Sequence, residues 1–184
     1  EADMEAAIGG GEVKEELNKS FLSQMAYEEN RGRVGFSDGK WTPHSSVEGG
    51  SDTLAYGHKL QPSEVESGTV QIGGVEVDYK EGITEEQAIL LLEQDTLKAE
   101  DIVKSNIKDF AILPQGYRKI LTALQFNTKG DVTEKSWPKL LKAMRNEDNE
   151  EVRKQMLTSF RDKSGKLKHL TSRRDRLADL LLNT

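Results

Sequence analysis

Cysteine is missing from all 184 residues, so no disulfide staples the chain, no thiolate serves as nucleophile, and cysteine-based zinc or iron–sulfur sites are excluded. Histidine is nearly as scarce. His44, His58 and His169 lie far apart, which argues against a histidine-rich metal site. No apolar run approaches the ~18 residues of a membrane span, and the run through Ile89 to Leu92 stops at Glu93. The opening Glu1-Ala2-Asp3-Met4-Glu5 has neither the basic nor the apolar stretch of an export signal. Motifs of nucleic-acid binding are lacking too: no zinc finger, no glycine-rich phosphate loop, no basic run interleaved with aromatics.

What is present suits one compact domain or two small lobes, with 35% hydrophobic and 32% charged residues. The formal net charge of −6 hides an asymmetry. Residues 1–100 hold 8 Lys and Arg against 21 Asp and Glu (−13), and residues 101–184 hold 18 against 11 (+7). A basic half steers toward a polyanion such as nucleic acid, anionic lipid or a bacterial cell wall. The absent motifs disfavour nucleic acid.

Gly9-Gly10-Gly11 between charged stretches reads as a tail or linker over 1–19, and the Gly-rich entry together with Glu1 reads as a piece of a longer virion protein. Ser20 is an N-cap candidate for a first helix over 20–29. Residues 30–82 break into short strands. Asp38-Gly39 marks one hairpin, and Gly73-Gly74 marks a second between Thr69–Ile72 and Val75–Tyr79, with a helical turn over Pro62–Val65 between them. From residue 83 the period becomes helical. Thr84 and Gln87 form a capping box for a long helix carrying Ala88, Leu91, Leu92, Asp95, Ala99, Ile102 and Val103. Further helices are expected over 115–126, 136–146, 148–160 and 172–182. The class is α+β: a small β-rich lobe beside a helical one, with a cleft expected where they meet.

In the first helix, Phe21, Leu22, Met25 and Ala26 form an apolar stripe centred at about 70° if Phe21 is set at about 0°; Glu29 falls at about 80° and Glu28 at about −20°. A glutamate pointing where an apolar residue belongs is costly to ionise, which is how a general acid is made. The competing reading pairs Glu29 with Arg173 or Arg176 in a purely structural role.

The segment Asp52-Thr53-Leu54-Ala55-Tyr56-Gly57-His58 bears on that choice. With Glu29 upstream and Gly82-Ile83-Thr84-Glu85-Glu86-Gln87-Ala88 and Glu93-Gln94-Asp95 downstream, it resembles the phage lysozyme family, the muramidases of T-even phage type. The resemblance runs from about Leu22 to the C-terminus and includes Phe126-Asn127 followed by Gly130, and Leu170-Thr171-Ser172-Arg173-Arg174. It implies a lysozyme-like fold in which a β-hairpin lobe is joined by a long helix to a larger helical lobe. It also implies hydrolysis of the β-1,4 bond between N-acetylmuramic acid and N-acetylglucosamine. Glu29 then matches the general acid and Thr53 the threonine holding the attacking water. His58 and Asp95 match a structural pair. Tyr56, Phe126, Asn127, Gln125 and Arg173 are candidates for the cleft wall or for holding substrate, although for Phe126 a core position is the simpler reading. Trp41 is an aromatic that could stack on a sugar if exposed, with hairpin packing as the default reading, and Trp137 is a packing residue.

The second carboxylate departs from the family pattern. The family has an Asp six residues before the threonine, where this chain has Val47. Glu48 and Asp52 are the substitutes, Glu48 preferred because Gly49-Gly50 follows it. An inverting hydrolase needs its two carboxyls roughly 6.5–9.5 Å apart. The resemblance implies no metal or organic cofactor. It implies peptidoglycan as partner, a monomer, and action in the phage virion or at the host periplasm and cell wall. The rival readings are a lytic transglycosylase using Glu29 alone and a non-catalytic wall-binding component.

Overall fold

The computed structural model describes residues 17–45, 52–127, 130–158 and 170–182. The chain divides into two units, Glu1–Asp95 and Thr96–Thr184, and the boundary falls within a helix.

In the first unit, helix α1 covers 17–30. It is already helical at Leu17, so Ser20 lies inside it rather than capping it, and Leu17 to Lys19 belong to the helix rather than to a tail. Phe21 and Met25 are buried on one face, as their spacing requires. Strands β1 (Phe36–Ser37) and β2 (Lys40–Trp41) form the first predicted hairpin, in antiparallel register Phe36 with Trp41. Its turn residues Asp38 and Gly39 have φ of 51° and 78°, the backbone a type I′ turn demands. Strand β7 (Ile83–Thr84) pairs with β2 to complete a three-stranded sheet.

Strands β3 (Thr53–Leu54) and β4 (His58–Lys59) make a tight hairpin, and α2 (Pro62–Ser67) follows. The second predicted hairpin is β5 (Thr69–Ile72) with β6 (Val75–Asp78), turning through Gly73 and Gly74, both at positive φ. Helix α3 (Glu85–Asn106) starts with the predicted box in both directions. Gln87 N–H donates to Thr84 Oγ1 at 3.1 Å, and Thr84 N–H donates to Gln87 Oε1 at 2.9 Å.

Trp41 is fully buried, not presented for stacking on a sugar. Its ring lies 4.9 Å from Phe36 and 5.0 Å from Tyr56, tilted against both. An aromatic of this size removes roughly 150–250 Å² from water, so the short sheet gains more by enclosing it than by displaying it.

The second unit is helical: α4 (Gln115–Asn127), α5 (Pro138–Arg145), α6 (Asn149–Thr158) and α7 (Leu170–Leu181), after a 3-10 turn at Phe110–Ile112. Helix α6 packs on α5 and α7, and α7 packs on α4. Ile120, Leu121, Leu140, Leu141, Met144, Val152, Met156 and Ala178 form its interior. Ile102 sits at the rim, 38% exposed, rather than in the apolar stripe expected of α3. Among the described residues, no helix is long and apolar enough to cross a membrane.

Candidate active site

Glu29 stands at the end of α1, half-buried, with its carboxylate against the backbone of Gly57 in the β3–β4 turn. A methyl group at Gly57 would sit 2.5 Å from Glu29 Oε2 and 3.2 Å from its carboxyl carbon. Two constraints therefore select glycine at this position. A Cβ here would have to push the Glu29 side chain aside, and φ of +82° disfavours any L side chain.

Every residue of the turn from Ala55 to His58 is held separately. Ala55 has φ of 54°, and its carbonyl accepts a hydrogen bond from Asn30 Nδ2 at 3.0 Å. Tyr56 is buried, and its hydroxyl donates to Glu85 Oε1 at 2.5 Å. Gly57 receives Glu29. His58, 9% exposed, has Nδ1 2.7 Å from Asp95 Oδ2 and Nε2 3.1 Å from both Glu64 oxygens.

The electrostatics follow from these contacts. Burial opposes a charge on His58, but hydrogen bonding to Asp95 and the charges of Asp95 and Glu64 outweigh it and raise its pKa. Only the imidazolium has a proton to give on both ring nitrogens, so two carboxylates favour that form. Burial, then the Glu85 hydrogen bond and charge, push the Tyr56 phenol up to about 12. Glu85 also accepts from Trp41 Nε1 at 2.7 Å and from Arg33 Nη2 at 3.3 Å. Its partial burial opposes ionisation, yet the hydrogen bonds from Tyr56 and Trp41, with Arg33, hold its carboxyl below the usual range.

Thr53 is 9% exposed and forms an isolated antiparallel bridge with His44, each N–H donating to the other's carbonyl, at 2.8 and 2.9 Å. Directly opposed residues of such a bridge project to the same face. Among the described residues His44 Nδ1 is buried without a hydrogen-bond partner, and burial holds the His44 pKa below its ordinary value, only partly offset by Asp52. Asp52 is exposed, and its carbonyl accepts from Leu60 N–H at 3.0 Å. Glu48 lies outside the described residues.

The sequence profile of phage lysozymes matches residues 39–176, about three quarters of the chain. The chain belongs to the phage lysozyme family. It is accordingly a peptidoglycan-degrading lysozyme, a glycosidase of phage-associated or cell-wall-acting type. A comparison with curated protein sequences gives no match.

The profile match begins beyond Glu29, so the placement of that residue rests on the contact with Gly57 and not on the matched span. Residues 29, 52, 53, 56, 58 and 95 all belong to the first unit of this lysozyme, whereas Phe126, Asn127 and Arg173 belong to the second. Phe126 is half-buried at the end of α4. Asn127 is exposed and donates from Nδ2 to the Ala123 carbonyl at 3.0 Å, closing the helix end. Gln125 is buried, accepting from Val132 N–H at 2.7 Å and donating to Asp131 Oδ1 at 3.2 Å, which fixes the loop after α4. Trp137 carries the guanidinium of buried Arg174 over its ring at 5.6 Å. Arg173 is half-buried on α7.

The sequence pattern does not single out Asn30, Arg33 or Glu64, nor the role of Glu85 beyond the helix dipole. Two of these carry a visible signal. Asn30 is a turn-forming residue directly after the candidate acid, and Glu64 stands in the first turn of a helix opened by Pro62, where a carboxylate is drawn to orphan N–H groups.

Proposed function

We propose that this lysozyme is an N-acetylmuramidase that hydrolyses the β-1,4 bond between N-acetylmuramic acid and N-acetylglucosamine, with Glu29 as general acid. The seating of the Glu29 carboxylate on Gly57 carries the reading. It holds a half-buried acid at a helix end, against a turn whose every residue is fixed, so the proton donor is oriented before substrate arrives.

In this reading Glu29 protonates the glycosidic oxygen and the aglycone departs. Water held at Thr53 attacks the opposite face of the sugar, and its proton passes to the second carboxylate, Glu48 or Asp52. Support for Thr53 is its near-complete burial two residues before the turn that seats Glu29.

Mass spectrometry of digested peptidoglycan tests the reaction. A hydrolase leaves reducing muramic acid ends. A lytic transglycosylase, which needs one acid only, leaves 1,6-anhydro ends lighter by one water. Reducing ends support the proposal, and anhydro ends replace it.

A further inference from the structure

We infer that Asn30 helps to position the catalytic acid, locking the end of α1 to the turn on which Glu29 rests. The inference depends on Glu29 being the acid.

Asn30 is 8% exposed, and the hydrogen-bonding capacity of its carboxamide is spent on two segments. Oδ1 accepts from Val34 N–H at 2.9 Å, and Nδ2 donates to the Val34 carbonyl at 2.9 Å. The other Nδ2 hydrogen goes to the Ala55 carbonyl at 3.0 Å, across 25 residues of sequence. The chain after α1 therefore turns back on Asn30, reinforced by Arg33 N–H donating to the Asn30 carbonyl at 3.1 Å. That same turn projects Arg33 onto the Tyr56 hydroxyl and Glu85, both at 3.3 Å.

Glu29 and Asn30 are neighbours on the helix, and Ala55 and Gly57 lie in one turn. The Asn30–Ala55 bond and the Glu29–Gly57 contact are thus parallel links between the same two segments. The first is a buried, directional hydrogen bond; the second is a close approach of the carboxylate to the Gly57 backbone. Removing the hydrogen bond takes away one of the ties that hold this helix end, and Glu29 with it, in register with the turn. Proton donation is sensitive to displacements of about 1 Å. Among the described residues, Asn30 supplies the side-chain bond to the Ala55 carbonyl, and Ala55 itself is at positive φ, so the turn has a strained residue that Asn30 restrains.

The test compares Asn30→Ala, which removes all three side-chain bonds, with Asn30→Ser, which is too short to reach Ala55. A packing control, Met144→Ala in the second unit, is included. Each is assayed on soluble oligomers of alternating N-acetylglucosamine and N-acetylmuramic acid, well below its own melting temperature. Both Asn30 variants should lose kcat by about tenfold to a hundredfold with KM nearly unchanged. The limb of their pH–rate profile that reports the acid should also shift, because its surroundings change. Met144→Ala should lose stability while keeping kcat and the profile. If either Asn30 variant folds and retains kcat and the profile, or if its loss matches that of Met144→Ala at equal destabilisation, the inference is overturned. Should one Asn30 variant fail to fold, the other decides. Glu29→Gln is run alongside: activity in that variant removes the underlying reading, whereas its inactivity beside fully active Asn30 variants removes this inference alone.

Discussion

Glu29 rests on Gly57 so closely that the side chain of alanine could enter only by displacing the carboxylate, its Cβ falling 2.5 Å from Glu29 Oε2. The turn thus serves as a seat for the acid, and its backbone shape is part of the candidate chemistry.

Gly57→Ala should cost about 1–2 kcal/mol of stability from φ alone and displace the carboxylate as well, abolishing lysis. Gly39→Ala provides the matched comparison. Gly39 has φ of +78°, and a Cβ there would meet nothing within 4 Å, so the variant suffers the backbone strain without moving any side chain. Thermal melts should show losses of similar order in both variants, and turbidity clearing should fail only in Gly57→Ala.

His58 makes stability depend on pH in a defined direction. Its folded pKa is raised above the ordinary 6.5, so the stabilisation is complete below the unfolded value and is lost as pH rises through the folded one. Asp95→Asn breaks a pair whose members are 10% and 16% exposed, and should cost about 3 kcal/mol at pH about 5 and clearly less at pH about 9. Urea melts at both pH values read this difference.

The two described histidines should titrate on opposite sides of 6.5, His58 above and His44 below. For His44 the sign is reversed: burial lowers its folded pKa, so its contribution is complete above the unfolded value and falls as pH drops. Imidazole proton resonances followed by NMR, assigned with His44→Gln and His58→Gln, check both directions at once.

Glu85→Gln should bring the Tyr56 phenol down from about 12, though not to 10, because burial, the larger cause, remains. The same change weakens the hydrogen bonds from Trp41 and Arg33, at a cost of about 1–3 kcal/mol. Ultraviolet titration of phenolate, compared with Tyr56→Phe, measures the first effect.

Local chemistry is legible where it is carried by neighbours in sequence. Asp38-Gly39 and Gly73-Gly74 announce their hairpins, and Thr84 with Gln87 announces the start of α3, because turn and cap geometry depend on a few adjacent residues. Helical spacing likewise singles out Glu29. Contacts between distant segments are another matter. The Asn30–Ala55 bond spans 25 residues, the Glu85–Tyr56 bond 29 and the Glu85–Trp41 bond 44, and no periodicity encodes such pairings. For Trp41 the default of hairpin packing holds, but that Phe36 and Tyr56 are the rings that enclose it is not encoded in the spacing. The His58–Asp95 contact is anticipated only through resemblance, and Glu64, the other carboxylate on that imidazole, not at all.

The most direct measurement is lysis by Glu29→Gln, which keeps the shape of the side chain and removes its acidic proton. Turbid suspensions of cell walls should remain uncleared, with the rate down by at least ~100-fold, while circular dichroism and melting temperature stay at wild-type values. Clearing at the wild-type rate by a folded Glu29→Gln protein would contradict the account.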